Sequence, residues 1–196
     1  EPGGLRIGFS TTEPVGAFGR IGQIRGGRLD QISIGQAGYH LSAQEIPRFV
    51  RFWGKFRELM EKDRHYLQVP IRRLRAAGTR AQKEDALIDC VIGLDALLGT
   101  SDERTEIRYR FSVRGSVLLA SRRAERRSRF TEMRELYDLR SAVVHGESVS
   151  TEKIDKAWPL AESALRTVWH WYFDRWHAEP DNRKGIEQVD QQLIGS

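Results

Sequence analysis

Two side chains that could act on a phosphodiester stand five residues apart near the middle of the chain, Arg140 and His145. The guanidinium of an arginine is always charged, and its planar fork matches the oxygens of a phosphate group. The imidazole of a histidine titrates near neutral pH and can therefore move protons. RNA carries its own nucleophile in the 2′-hydroxyl, so the protein needs only to position it, accept its proton and stabilise charge at phosphorus. The R-x4-H spacing therefore predicts a phosphate site.

The residues around this pair have the pattern of a helix and its end. At about 100° per residue, one face of that helix collects five apolar side chains: Met133, Leu136, Tyr137, Val143 and Val144. Arg140 falls in the middle of this face, whereas His145 lies about 140° further round the axis. Gly146 is the residue type that most readily takes the left-handed conformation closing a helix. Ser141 and Tyr137 stand beside the arginine and are candidate supporting residues.

Two other predicted helices also place charges on their apolar faces. Asp95 lies within the apolar face of a helix predicted over 83–98, and Arg110 and Arg114 lie within that of a helix predicted over 106–120. A buried carboxylate is costly unless a cation pairs with it. We therefore expect a buried polar network in which Asp95 pairs with Arg114 or Arg140.

The composition is typical of a soluble globular protein of about one domain, with 196 residues, 39% hydrophobic and 30% charged. No apolar run approaches the ~20 residues of a membrane-spanning helix, so no membrane association is expected. The single cysteine, Cys90, lies in an apolar helical pattern, which favours an inert buried thiol and a cytoplasmic setting. No metal-ligand spacing is evident, and we expect neither a metal nor a cofactor.

Several basic residues are concentrated in one short segment of the chain. The chain has a net charge of +5, and four arginines stand close together: Arg122, Arg123, Arg126 and Arg127. Such a cluster is either a solvated surface or a phosphate-binding surface. Together with the overall charge, it makes RNA a candidate partner.

The distribution of glycine divides the chain. Ten of the 18 glycines lie within 1–41, where two short β-type runs flank Gly26 and Gly27 and predict a hairpin. Residues 42–178 have helical periodicity, with Pro159 expected to kink or interrupt the last helix. Residues 179–196 are polar and predicted to form a loose tail. The sequence thus predicts a mainly α protein with a small N-terminal β appendage, or the tail of an upstream domain.

Four blocks, in this order, resemble the Apea-like branch of the HEPN superfamily over about residues 44–177. They are 83–89 (KEDALID), 93–98 (GLDALL), the series Glu103/Glu106–Arg110–Arg114, and 137–146 (YDLRSAVVHG). The resemblance implies a bundle of about five helices that forms a homodimer, with two R-x4-6-H motifs facing one cleft. It also implies that Arg140 binds and stabilises the scissile phosphate and that His145 acts in acid–base chemistry or phosphate contact.

Many HEPN proteins are metal-independent endoribonucleases in antiviral defence, toxin–antitoxin or RNA-processing systems. The resemblance implies the same activity here, with a cognate antitoxin or an upstream domain as a further partner. In many active relatives Asn, Asp or His follows the arginine, whereas this chain has Ser141. Two alternatives therefore stay open. One is a non-catalytic RNA- or nucleotide-binding or dimerisation module of a larger defence protein, and the other is a structural helical domain in which Arg140 closes an ion pair.

Overall fold

A computed structural model describes residues 42–62, 64–100 and 105–194, and their regular structure is helical. The helices are α1 (Ile46–Glu61), α2 (His65–Ala77), α3 (Lys83–Leu98), α4 (Ile107–Leu119), α5 (Arg126–Val144), α6 (Thr151–Trp176) and α7 (Arg183–Ile194). A single 3-10 turn, Arg123–Glu125, precedes α5. The predicted mainly α class is confirmed, although the described residues form seven helices rather than about five. The expected β-hairpin lies outside the described residues.

The chain divides after Arg57 into two units. In the described part of the first unit, the Glu45 carboxylate accepts hydrogen bonds from the backbone N–H (2.9 Å) and the Oγ (2.8 Å) of Ser42. This is half of the capping box that the Ser-x-x-Glu spacing predicts. The rings of Phe49 and Trp53 stack along α1, as expected for an aromatic stripe at helical spacing.

The second unit is a helical bundle centred on α3 and α6. Helix α3 packs against both α2 and α6, and α4 packs against α5. Nine of the sixteen residues of α3 are buried, which is typical of a helix enclosed by its neighbours. Gly93 allows α3 and α6 to approach, because a Cβ at this position would lie 2.9 Å from Leu165 Cδ2. Burial raises the pKa of the Cys90 thiol to about 12, which keeps it protonated and inert.

Two prolines expected to mark helix boundaries lie inside helices. Pro70 is buried within α2, which begins five residues earlier at His65. Pro159 is exposed within α6, which continues to Trp176. Of the two outcomes predicted at Pro159, a kink or an interruption, the interruption does not occur, because the packing of α6 along its length outweighs the loss of one backbone donor. None of the helices in the described ranges is long and apolar enough to cross a membrane.

The segment predicted to be a loose tail contains the docked helix α7. The side-chain amide of Asn182 donates to the carbonyl oxygens of Leu97 (3.0 Å) and Gly99 (2.7 Å) at the end of α3. Those are carbonyl groups that a helix end leaves without intrahelical partners. The prediction of a loose tail is wrong for residues 183–194, because polar contacts hold this helix in addition to its few apolar side chains.

A glycine fixes the position of α7 against α6. Gly185 lies so close to the ring of Tyr172 that a Cβ would come within 2.2 Å of a ring carbon. Ile186 and Val189, one and four residues later, are buried. Residues 183–194 are therefore part of the bundle.

Candidate functional site

Helix α5 carries the R-x4-H pair at its C-terminal end. The last helical residue is Val144, and the backbone N–H of His145 still donates to the Ser141 carbonyl at 3.0 Å. Gly146 has a φ of 75°, the left-handed conformation predicted for a helix-closing glycine. Arg140 is half-buried and His145 is exposed. The helix therefore presents the guanidinium from its flank and the imidazole from its end.

The C-terminal half of α5 is only partly covered by the rest of the described bundle. Met133 and Leu136 are buried, but Val143 is half-buried and Val144 is 50% exposed. The predicted apolar face over 133–144 is thus part of the core only at its N-terminal end. Apolar side chains left uncovered on one helix face are typical of surfaces that meet a partner.

Asp95 lies beside Arg140, but at the surface and not in the core. Asp95 is exposed at the rim of a cavity, so the prediction of a buried carboxylate is wrong. The periodicity placed it correctly on the inner side of α3, but the bundle opens at this end. Desolvation by the cavity walls nevertheless raises the pKa of the Asp95 carboxyl, and the charge of Arg140 lowers it only in part. Among the described residues, no hydrogen bond or ion pair within 4 Å joins these two side chains.

Arg114 is the buried charge of this region, and its carboxylate partner is Asp190 on α7. Its Nε and Nη2 donate to the two Asp190 oxygens at 3.0 and 2.9 Å, while Nη1 donates to the Leu98 carbonyl at 2.7 Å. Only 4% of Arg114 is exposed. The predicted pairing of Arg114 with Asp95 is therefore replaced by a pair with a residue 76 positions away, in the segment expected to be loose. This bidentate contact ties α4 to α3 and α7.

A buried carboxylate, Asp89, was missed by sequence reasoning. It is 1% exposed and accepts hydrogen bonds from Arg73 Nη1 (2.8 Å) and Arg80 Nε (2.7 Å). The signal was present, since Asp89 lies among the apolar residues of α3 and Arg73 lies in a basic run of α2. This arrangement gives Arg73 and Arg80 a structural role.

A cavity of about 540 Å³ opens beside Asp95, between the start of α2, the end of α3, the start of α4 and the segment joining α6 to α7. Its lining includes two aromatic and three charged side chains: Tyr66, Asp95, Arg110, Phe111 and Asp181. The Phe111 ring packs on that of Tyr137, with centroids 5.4 Å apart. Tyr137 is one turn before Arg140 on α5, so the cavity wall adjoins the helix that carries the motif. The volume lies in the range of small-molecule sites.

Within one chain, the basic cluster lies far from the R-x4-H pair. Arg122, Arg123 and Arg127 are exposed on the 3-10 turn and the first residues of α5, and Arg126 is half-buried there. His145 follows the opposite end of the same 19-residue helix, roughly 27 Å away along the axis at 1.5 Å per residue. A single chain therefore presents two separate candidate anion-binding surfaces.

Comparisons of the chain with protein-family models, with curated proteins and with solved structures find no match. In the described part of the chain, no group of three His, Cys, Asp or Glu side chains is arranged to hold a metal ion. The described residues bring four features together at this site. These are a fixed cation and a titratable imidazole at the end of one helix, with a carboxylate and a cavity beside the cation.

Proposed function

We propose that the chain is a metal-independent endoribonuclease of the HEPN type that acts as a homodimer. The observation that carries this proposal is the position of the R-x4-H pair at the exposed end of α5, on a helix face that the rest of the described bundle covers only in part. In this function Arg140 contacts the scissile phosphate and His145 transfers a proton. Both roles suit a half-buried guanidinium and an exposed imidazole.

The proposed reaction uses the substrate's own 2′-hydroxyl. The 2′-oxygen attacks the adjacent phosphorus, and the bond to the 5′-oxygen of the next nucleotide breaks. The products carry a 2′,3′-cyclic phosphate and a 5′-hydroxyl. One proton leaves the 2′-oxygen and one reaches the departing 5′-oxygen, so a base and an acid are both needed. Two copies of His145 can divide these tasks, while Arg140 stabilises the charge that develops on the phosphate oxygens.

Uncovered apolar side chains near the motif support a dimer. Val144 is 50% exposed, and Ile107 at the start of α4 is 39% exposed. The ion pair between Arg108 of α4 and Asp138 of α5 places the start of α4 beside the C-terminal part of α5. A second copy that covers this surface would bring two R-x4-H pairs to one cleft.

The reaction type is tested with an RNA oligonucleotide incubated with the protein in EDTA. We expect cleavage with a 2′,3′-cyclic phosphate end, and a matched oligonucleotide with a single 2′-deoxy nucleotide at the cleaved position should resist cutting there. Cutting that continues at the 2′-deoxy position, or that requires a divalent metal ion, contradicts the proposal.

A second candidate function is RNA binding without cleavage, which the exposed arginines at the far end of α5 favour. For single-stranded RNA, the logarithm of the binding constant falls linearly with the logarithm of the salt concentration, with a slope of about −0.7 per neutralised phosphate. The double variant Arg122→Ala, Arg127→Ala should therefore reduce the slope by about 1.4. RNA that binds with this salt dependence and stays intact supports the second candidate, whereas cleavage that is lost in Arg140→Ala excludes it.

A further inference from the structure

The cavity beside Asp95 has rigid aromatic walls. The Tyr66 hydroxyl donates to the Trp176 carbonyl, and its ring meets the buried ring of Tyr172 edge-on at 6.1 Å. Phe111 on another wall is 2% exposed and is held by its contact with Tyr137. Side chains that are already fixed lose little freedom when a ligand binds. Their separation encloses a volume of about 540 Å³, which suits a planar aromatic ring.

No described residue donates a hydrogen bond to the carboxylate at the rim of this cavity. Asp95 lies in the last turn of α3, where the helix dipole disfavours a negative charge. In the ranges the structure describes, its side chain accepts no hydrogen bond, and Arg140 acts on it only through space. A ligand that brings two adjacent N–H groups would therefore improve the surroundings of this carboxylate.

Arg110 adds a donor to the same cavity. It lies on α4 next to Phe111 and is half-buried. The lining of one cavity thus combines an acceptor, a guanidinium and aromatic side chains. Among the four RNA bases, guanine alone has two adjacent N–H donors on one edge, and it also presents acceptors at O6 and N7.

We infer that this cavity binds a guanine base, and that Asp95 accepts from its N1–H and N2–H groups while Arg110 donates to O6 or N7. Because the cavity adjoins the α5 face that carries Arg140, the bound base belongs to a nucleotide next to the scissile phosphate. This inference rests on the proposed function for the position of the base in RNA, but the recognition of guanine itself does not depend on cleavage. Unpaired bases in RNA are commonly read in this way, by aromatic contact and by hydrogen bonds to their edges.

Binding of mononucleotides tests the recognition directly. The full chain is titrated with the 3′-monophosphates of guanosine, adenosine, cytidine and uridine in a calorimeter. We expect the guanosine compound to bind about tenfold more tightly than the others, and Asp95→Asn to remove this preference with a 5- to 100-fold loss, the discrimination typical of a bidentate contact. Asp174→Asn is the matched control, since Asp174 is an exposed carboxylate in the last turn of α6 and does not line the cavity.

A second variant tests the cavity without touching the charge. Ala96→Trp should fill the cavity that Ala96 lines and abolish binding of guanosine 3′-monophosphate, while a helical circular dichroism spectrum shows that the bundle still folds. The inference is overturned if all four mononucleotides bind equally, if none binds, or if Asp95→Asn leaves their ranking unchanged.

RNA cleavage assays, compared with the mononucleotide titrations, separate this inference from the proposed function. Cleavage with no preference for guanine overturns the cavity assignment and leaves the nuclease intact. Selective binding of guanosine 3′-monophosphate by a chain that cuts no RNA overturns the nuclease and assigns the cavity to a free guanine nucleotide. Cleavage that is selective next to guanine, and that loses its selectivity in Asp95→Asn, supports both.

Discussion

Arg114 and Arg140 both lie on the apolar faces of their helices, but their surroundings give them different roles. Arg114 is 4% exposed, and its donors are directed to both Asp190 oxygens and to a backbone carbonyl. Arg140 is half-buried and acts on Asp95 without a direct contact among the described residues. A guanidinium that is buried in contacts with its own protein holds helices together, whereas a half-buried one near a helix end can meet an anion.

Removal of the Asp190 carboxylate should leave Arg114 buried without a counter-charge. We expect Asp190→Ala to lower the free energy of unfolding by about 3 kcal/mol, the low end of the range for a broken buried pair, since the Asp190 side chain is itself 40% exposed. The control is Asp155→Ala, which breaks a surface pair with Lys83 and should cost less than about 1 kcal/mol. Urea denaturation measures both, and equal losses would contradict a structural role for Arg114.

The raised pKa of Asp95 makes the stability of the protein depend on pH. The folded state binds this proton more tightly than the unfolded state, so the stabilising effect is complete below the ordinary pKa and is lost as the pH rises through the raised one. Asp95→Asn should therefore increase the free energy of unfolding at pH 7, and the gain should shrink towards pH 4. Urea denaturation at both pH values checks this, with Asp174→Asn as control. A gain that is equal at both pH values would contradict the assignment.

At the scale of elements, apolar periodicity was sufficient to predict the bounds of a helix wherever that helix is held by its own apolar face. Helix α3 has the predicted bounds, and α4 is one residue shorter at each end than predicted. Helix α7 was missed although its buried Ile186 and Val189 have helical spacing. Asn182, Gly185 and Asp190 also hold it, through an amide, a close backbone approach and an ion pair. Those contacts depend on partners far away in the sequence. The site has the same limit. The motif and Asp95 could be identified in the sequence, but the cavity could not, because separate segments of the chain line it.

The fit of Gly185 against Tyr172 provides a test of how firmly α7 is docked. Gly185→Ala introduces a methyl group 2.2 Å from a ring that is fully buried and cannot turn away. We expect a loss of about 2 kcal/mol and faster hydrogen exchange over residues 183–194. Gly78→Ala is the control, since its φ is −66° and the nearest atom to an added Cβ is 3.6 Å away. Unchanged exchange in α7 would show that the close contact is not what holds it.

At the scale of the whole molecule, the two candidate anion-binding surfaces lie at opposite ends of α5. The R-x4-H pair is at the end where Val144 and Ile107 are partly exposed, and the exposed arginines are at the other. A homodimer formed through the uncovered end would join two R-x4-H pairs at its centre. It would leave the two basic clusters on its periphery, where they can hold the flanking RNA.

A charge placed on the uncovered surface should separate the proposed dimer. We expect Val144→Glu to weaken dimerisation at least tenfold, because an unpaired carboxylate enclosed in an apolar interface costs more than about 1.4 kcal/mol. Ile194→Glu is the control, since Ile194 is 87% exposed at the end of α7. Sedimentation velocity over a range of concentrations measures both variants. A wild-type chain that stays monomeric at all concentrations, or a Val144→Glu dimer of unchanged affinity, would contradict the homodimer.

The central proposal, that Arg140 and His145 cleave RNA, is tested most directly by the rate of RNA cleavage in EDTA. The wild type should cut, while Arg140→Ala and His145→Ala should each be slower by about 100-fold or more, the usual contribution of a group that transfers a proton or stabilises the transition state. His170→Ala, which removes an exposed histidine on α6, should cut like the wild type. If both motif variants cut as fast as the wild type, the R-x4-H pair is not the active site.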